Sequence, residues 1–70
     1  MGTEKHLRLT GTSSVSWKDA IVSTIADASK TLDYLSTVTI LSQWAKINGK
    51  KIVEYYVELD LSFTIDNNRK

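Results

Sequence analysis

The 70-residue chain has no cysteine, no proline and one histidine. Without cysteine there is neither a disulfide nor a thiolate zinc site, and His6 alone is a poor nucleus for an imidazole metal site or a catalytic base. No nucleophile, base and orienting group can be assembled from this inventory, so the sequence predicts a binding or structural protein and not an enzyme. A chain this short buries only about 60% of its unfolded surface. With disulfides and structural zinc excluded, oligomerisation is the supplement left to it. Charge is balanced as well. Nine basic and eight acidic residues give +1, scattered apart from Lys50-Lys51 and Arg69-Lys70. Phosphate-backbone binding calls for concentrated basic charge, so no nucleic-acid partner is expected. No run approaches the ~20 apolar residues of a membrane span, and Met1–His6 lacks the apolar core of a signal peptide. The expectation is a soluble, cytoplasmic protein without a membrane partner.

What the chain does have is alternation. From Val53 to Ile65 every odd position is apolar, while Glu54, Tyr56, Glu58, Asp60, Ser62 and Thr64 occupy the even ones. A period of two is that of a strand with one face in a core. Lys5–Thr10 alternates in the same way, with Leu7 and Leu9 opposed to His6 and Arg8, and Gly11-Thr-Ser-Ser14 then reads as a turn. Ser16-Trp-Lys-Asp19 reads as a helix start, with Ser16 as N-cap and Asp19 reaching back to it. The stripe Trp17, Ile21, Ile25, Ala28, Leu32 predicts an amphipathic helix ending between Leu32 and Leu35, with Asp33 at its end. Ser36–Ile47 is rich in β-branched residues and suits a second long strand.

Asn48-Gly49 signals a tight hairpin. With those two residues as the turn, cross-strand partners have numbers summing to 97. Val53, Val57 and Leu59 then oppose Trp44, Ile40 and Val38 on the core face. On the outer face Glu54 meets Gln43, Tyr56 meets Leu41, Glu58 meets Thr39 and Asp60 meets Thr37. The predicted architecture is α+β: one domain over residues 1–70, with its ordered core over about 5–66, built β-α-β-β as a three-stranded antiparallel sheet around one helix. The outer face is where a ligand is sought. Its carboxylates Glu54, Glu58 and Asp60 are candidate ligands for a hard cation such as calcium, although a solvated or salt-bridged face is the commoner meaning of such a row. Trp17 and Tyr55 are assigned to packing, Trp44 by parity to the helix side near the hairpin tip.

Leu9-Thr-Gly-Thr-Ser13, Ser16-Trp17, the long hairpin and Val57-Glu-Leu-Asp-Leu-Ser-Phe63, in this order and spacing, resemble the dodecins over about Lys5 to Ile65. The resemblance implies a subunit whose sheet wraps its helix and twelve copies forming a hollow shell, a homododecamer. It also implies a flavin (riboflavin or FMN), stacked between tryptophans and held by a glutamine. Placed without gaps between Asp33 and Phe63, the stacking tryptophan falls on Thr37 and the glutamine on Tyr56. Both chemical partners are replaced, so flavin binding is expected to be weak or lost, with Gln43 and Trp44 as the remaining candidates near that face. A threonine has no π surface, and a tyrosine offers a hydroxyl where an amide offers donor and acceptor together. A second branch of the family, described as calcium-binding, lacks the flavin pair, and the chain resembles that branch more closely. The alternatives to a flavin-storing shell are a calcium-binding dodecin and a purely structural oligomer.

Overall fold

The computed structural model describes the backbone of residues 2–32 and 34–66, with side chains omitted at 2, 65 and 66. Asp33, the side chain of Ile65 and the basic pair Arg69-Lys70 therefore lie outside the described residues. Four elements follow one another: β1 (Gly2–Ser13), α1 (Trp17–Ala28), β2 (Leu35–Asn48) and β3 (Lys51–Asp66). They form one antiparallel sheet of order β1-β3-β2. The alternating strand is the central one, as befits the segment with the most regular apolar face.

On the helix side, odd residues of β3 meet the odd residues of β1, with Leu59 opposite Leu9 and Leu61 opposite Leu7. Val57, Leu59 and Ala20 form the fully buried nucleus, against which Trp17 and Ile21 pack. Trp17 meets Tyr55 edge-on, with ring centroids 4.9 Å apart. Such T-shaped contact places the positive edge of one ring on the negative face of the other. The apolar stripe of the helix and the period of β3 thus meet as the sequence predicts.

Gly11-Thr-Ser13, expected to be a turn, continues β1 and pairs with Val57, Tyr56 and Tyr55. The glycine serves close approach rather than reversal. A Cβ on Gly11 would overlap Thr24 Oγ1 and stand 3.1 Å from the Ala20 carbonyl oxygen. The missing side chain lets α1 settle onto the strand.

At the helix start, the Asp19 amide donates to Ser16 Oγ at 2.9 Å, which is the predicted N-cap. The reciprocal half of the expected capping box is absent. Asp19 instead accepts from Ser13 Oγ at 2.6 Å, and that hydroxyl in turn accepts from the Val15 amide at 2.9 Å. Aspartate is too short to close a box that glutamate would close, and Ser13 at the end of β1 stands within its reach. The helix ends at Ala28, short of the expected Leu32–Leu35. The next turn tightens: the Lys30 amide donates to the Asp27 carbonyl and the Thr31 amide to that of Ala28, while Ser29 Oγ donates to the Ala26 carbonyl. Serine and threonine hydroxyls compete here for the carbonyls that would continue an α-helix. Tyr34 then takes a positive φ of 61°, and its carbonyl accepts from the Thr64 amide.

The hairpin register differs from the sum of 97. Asn48 pairs with Lys51, leaving Gly49 and Lys50 as the two-residue loop, and of those only Gly49 has positive φ, at 69°. One positive-φ residue at the first central position is the requirement of a type II′ turn, whereas a turn centred on Asn48-Gly49 would need two. Partner numbers therefore sum to 99 beside the turn, and to 100 from Lys46 to Ser42. They return to 99 from Ile40 to Thr37 and fall to 98 at Leu35, with irregularities at Lys46/Ile47, Ile40/Ser42 and Leu35/Thr37. Trp44 consequently opposes Tyr56 instead of Val53, and Gln43 opposes Val57 instead of Glu54. Both face assignments are corrected: Trp44 lies on the outer face and Gln43 on the helix face. Likewise Glu58 meets Ser42, Asp60 meets Thr39 and Ser62 meets Thr37.

Candidate functional site

The outer face of the sheet carries the chemistry that the sequence placed there, arranged as rungs across β1, β3 and β2. At one end His6 Nδ1 lies 2.6 Å from Asp60 Oδ2, and its Nε2 lies 3.6 Å from Glu4. The hydrogen bond to the Asp60 carboxylate, aided by the charges of Asp60 and Glu4, raises the His6 pKa above 6.5 against a smaller opposing effect of desolvation. One rung on, Arg8 Nε approaches Glu58 at 3.8 Å. Glu54 stands across from Lys46. Each carboxylate proposed as a cation ligand thus has a basic neighbour on an adjacent strand. Among the described residues no group of three His, Asp or Glu side chains comes together in an arrangement able to hold a metal ion.

Thr37 and Tyr56 share the outer face, but not a neighbourhood. Thr37 Oγ1 is 2.6 Å from Ser62 Oγ, and the Thr37 amide donates to the same oxygen at 3.1 Å. Ser62 is six residues beyond Tyr56 on β3, about 20 Å along a strand rising ~3.3 Å per residue. A single flat ring system does not span that distance within one subunit. Beside Thr37, a cleft of about 210 Å³ opens between Leu35, Val38, Leu61 and Ile25 of the helix.

At the other end, Trp44 and Tyr56 are stacked, with centroids 5.4 Å apart and planes 2° from parallel. Tyr56 sits on the central strand between Thr12 and Trp44, and Trp44 sits on the edge strand. Trp44 is 44% exposed. Its backbone is held from the opposite side of the sheet: Trp17 Nε1 donates to the Trp44 carbonyl at 3.0 Å. This pairing was not legible in the sequence, because it depends on the register between the irregularities at Lys46/Ile47 and Ile40/Ser42. Of the four expected ligand-contacting residues, the structure joins Trp44 to Tyr56, sets Thr37 apart on the same face and turns Gln43 to the other side.

Known proteins share this architecture. A point variant of the Thermus thermophilus dodecin superposes with a TM-score of 0.89 at 28% identity, covering 96% of this chain and 100% of that one. The dodecin of Streptomyces davaonensis gives 0.87 at 26% identity over 94% and 97%. The calcium dodecin of Mycobacterium tuberculosis, a calcium-chelating antigen, gives 0.79 at 20% identity over 97% of each chain, a likeness of fold. Overall similarity is thus lower to the calcium dodecin than to the other two, and lends no weight to the expected closeness to a calcium-binding branch. No curated protein matches the chain by sequence. The Dodecin family profile spans residues 3–66, nearly the whole length. With that match, the β-α-β-β fold and the stacked outer face in hand, the chain belongs to the dodecin family.

Proposed function

We propose that this protein is a binding and storage shell of the dodecin type, a homododecamer that sequesters a small ligand and catalyses no reaction. The observation that carries the reading is the shape of the subunit. Its extents are 55 × 19 × 12 Å, and its radius of gyration is 14.8 Å. A compact domain of this length has about 11 Å. Val38, Ile40, Ile47, Ile52 and Val53 stay exposed along β2 and the hairpin end. A sheet that projects so far past α1, with apolar residues uncovered, fits a subunit completed by its sisters.

The ligand face of this reading is that of Thr37, Trp44 and Tyr56, with a flavin as the family ligand. Because Thr37 has no π surface and is tied to Ser62, a flavin held at that position is weakly bound, and the purified protein is colourless or faintly loaded. Calcium held by Glu54, Glu58 and Asp60 is a second ligand class, favoured only by the three carboxylates on one face; in one subunit they stand opposite Lys46, Arg8 and His6. The location assigned to the shell in this reading is the cytoplasm; among the described residues no helix is long and apolar enough to cross a membrane. Size-exclusion chromatography with light scattering and absorbance at flavin wavelengths tests the reading. A species of about 95 kDa, twelve times the 7.9 kDa chain, supports it. A monomer or dimer overturns it.

A further inference from the structure

We propose that Trp44, backed by Tyr56, is this protein's own stacking site for a planar heteroaromatic ring, about 20 Å along the sheet from Thr37. The inference rests on the reading of the chain as a small-ligand binder and names the residue that carries the contact.

The irregularities at Lys46/Ile47 and Ile40/Ser42, two of the three in the β2–β3 pairing, are the first ground. Each displaces the register by one residue, in opposite senses, so between the turn and Thr37 only the segment Ser42–Lys46 is rotated. With the register of the turn carried on unbroken, Trp44 would oppose Tyr55 and point to the helix side. Between the irregularities it opposes Tyr56 and points outward. Bulges bend and weaken a ladder, and they recur where a side chain must be re-aimed. Here the sole aromatic of β2 is moved out of apolar surroundings and onto the polar face. A packing role alone gives no reason for this, since burial on the helix side would have removed more apolar surface from water.

The second ground is rigidity. Trp17 Nε1 bonds the Trp44 carbonyl from the helix side, and Trp17 is itself fixed edge-on against Tyr55. Tyr56 covers one face of the indole at 2° from parallel. Because β2 is the sheet edge, the other face of the indole has no further strand beside it. Within one subunit the indole is thus preorganised with one face covered and the other open, an arrangement that loses little side-chain entropy on stacking a ligand. The nearest charged groups on this face, Lys46 and Glu54, stand opposite each other, and Glu58 is engaged by Arg8. No net charge selects an ionic ligand, so the class that fits is an uncharged flat ring system with polar edges, for which Thr12 on the same rung and Ser42 on the neighbouring one supply hydroxyls.

The test uses the full chain, with riboflavin and its bare ring system lumichrome as probes. Equilibrium dialysis measures affinity, and the two indole N–H resonances report which tryptophan is touched. The expected result is that Trp44→Leu weakens both probes by roughly 10- to 100-fold, the range of one aromatic stacking contact. Trp44→Phe should retain part of the affinity, Thr37→Val should leave it unchanged, and only the Trp44 N–H should shift on titration of the wild type. Unchanged affinity in Trp44→Leu with the ~95 kDa species intact overturns the site while leaving the storage reading standing. Breakdown of the assembly in both Trp44 variants makes the residue an interface anchor and also overturns it. Failure of either probe to bind the wild type at millimolar concentration refutes the ligand class.

Discussion

The two ends of the sheet are built on opposite economies. Where α1 lies on β1 and β3, Val57, Leu59 and Ala20 are completely inaccessible to solvent, and leucine faces leucine on the helix side at Leu59–Leu9 and Leu61–Leu7. Beyond Tyr55 the helix no longer covers the hairpin, and Ile47, Ile52 and Val53 lie exposed together with Lys50 and Lys51. The same strand, β3, runs through both regions with nearly the same alternation. Strand periodicity therefore states which side of a strand is apolar; whether that side is covered within the subunit depends on the length of the helix, which spans only twelve residues. The covered end supplies folding stability, and the uncovered end is left for association.

The sharpest way to break this contrast is a pair of truncations. Leu59→Ala should cost the subunit about 2–5 kcal/mol, the range for deleting a buried leucine side chain, read from urea unfolding. Ile52→Ala should barely move unfolding of a dissociated subunit, and should instead weaken assembly at low protein concentration in sedimentation. Equal unfolding effects of the two would erase the distinction between the ends. A smaller effect probes the helix–sheet contact: Gly11→Ala should destabilise by about 1–3 kcal/mol through overpacking against Thr24. Adding Thr24→Ala should recover part of that loss, since the Ala20 carbonyl stays close; no recovery would place the strain elsewhere.

The smallest expected effect is that of pH on the edge of the covered end. The His6 pKa is raised by its bond to Asp60, so the folded state binds the proton more tightly than the unfolded chain. The stabilisation is complete below the unfolded value near 6.5 and fades as pH rises through the higher folded value. His6→Gln should flatten the dependence of melting temperature on pH in that window, and a slope surviving the substitution would assign it to another group.

The order β-α-β-β, the alternation of β3 and the capping of α1 by Ser16 were legible because each depends on neighbours in sequence: a period of two, a stripe near 3.6, a hydroxyl before an apolar run. The same local reading failed at Gly11, which has the composition of a turn and the role of a contact surface, and at the helix end, where Ser29 and Thr31 tighten the last turn before the stripe ends. It failed most at the hairpin. Asn48-Gly49 announces a reversal correctly, yet the loop is Gly49-Lys50, and two compensating irregularities lie upstream. Since one residue of slip exchanges the faces of a strand, Trp44 and Gln43 were assigned to the wrong sides while Thr37 and Tyr56 were assigned to the right one.

By itself, then, the sequence determined the elements, their order and the apolar side of the central strand, because these follow from the geometry of a single segment. Only the tertiary structure decided the cross-strand register, the seat of the helix over Gly11 and the stacking of Trp44 on Tyr56. Those depend on pairing between residues distant in the chain, where a shift by a single position costs little locally and changes which side chains meet.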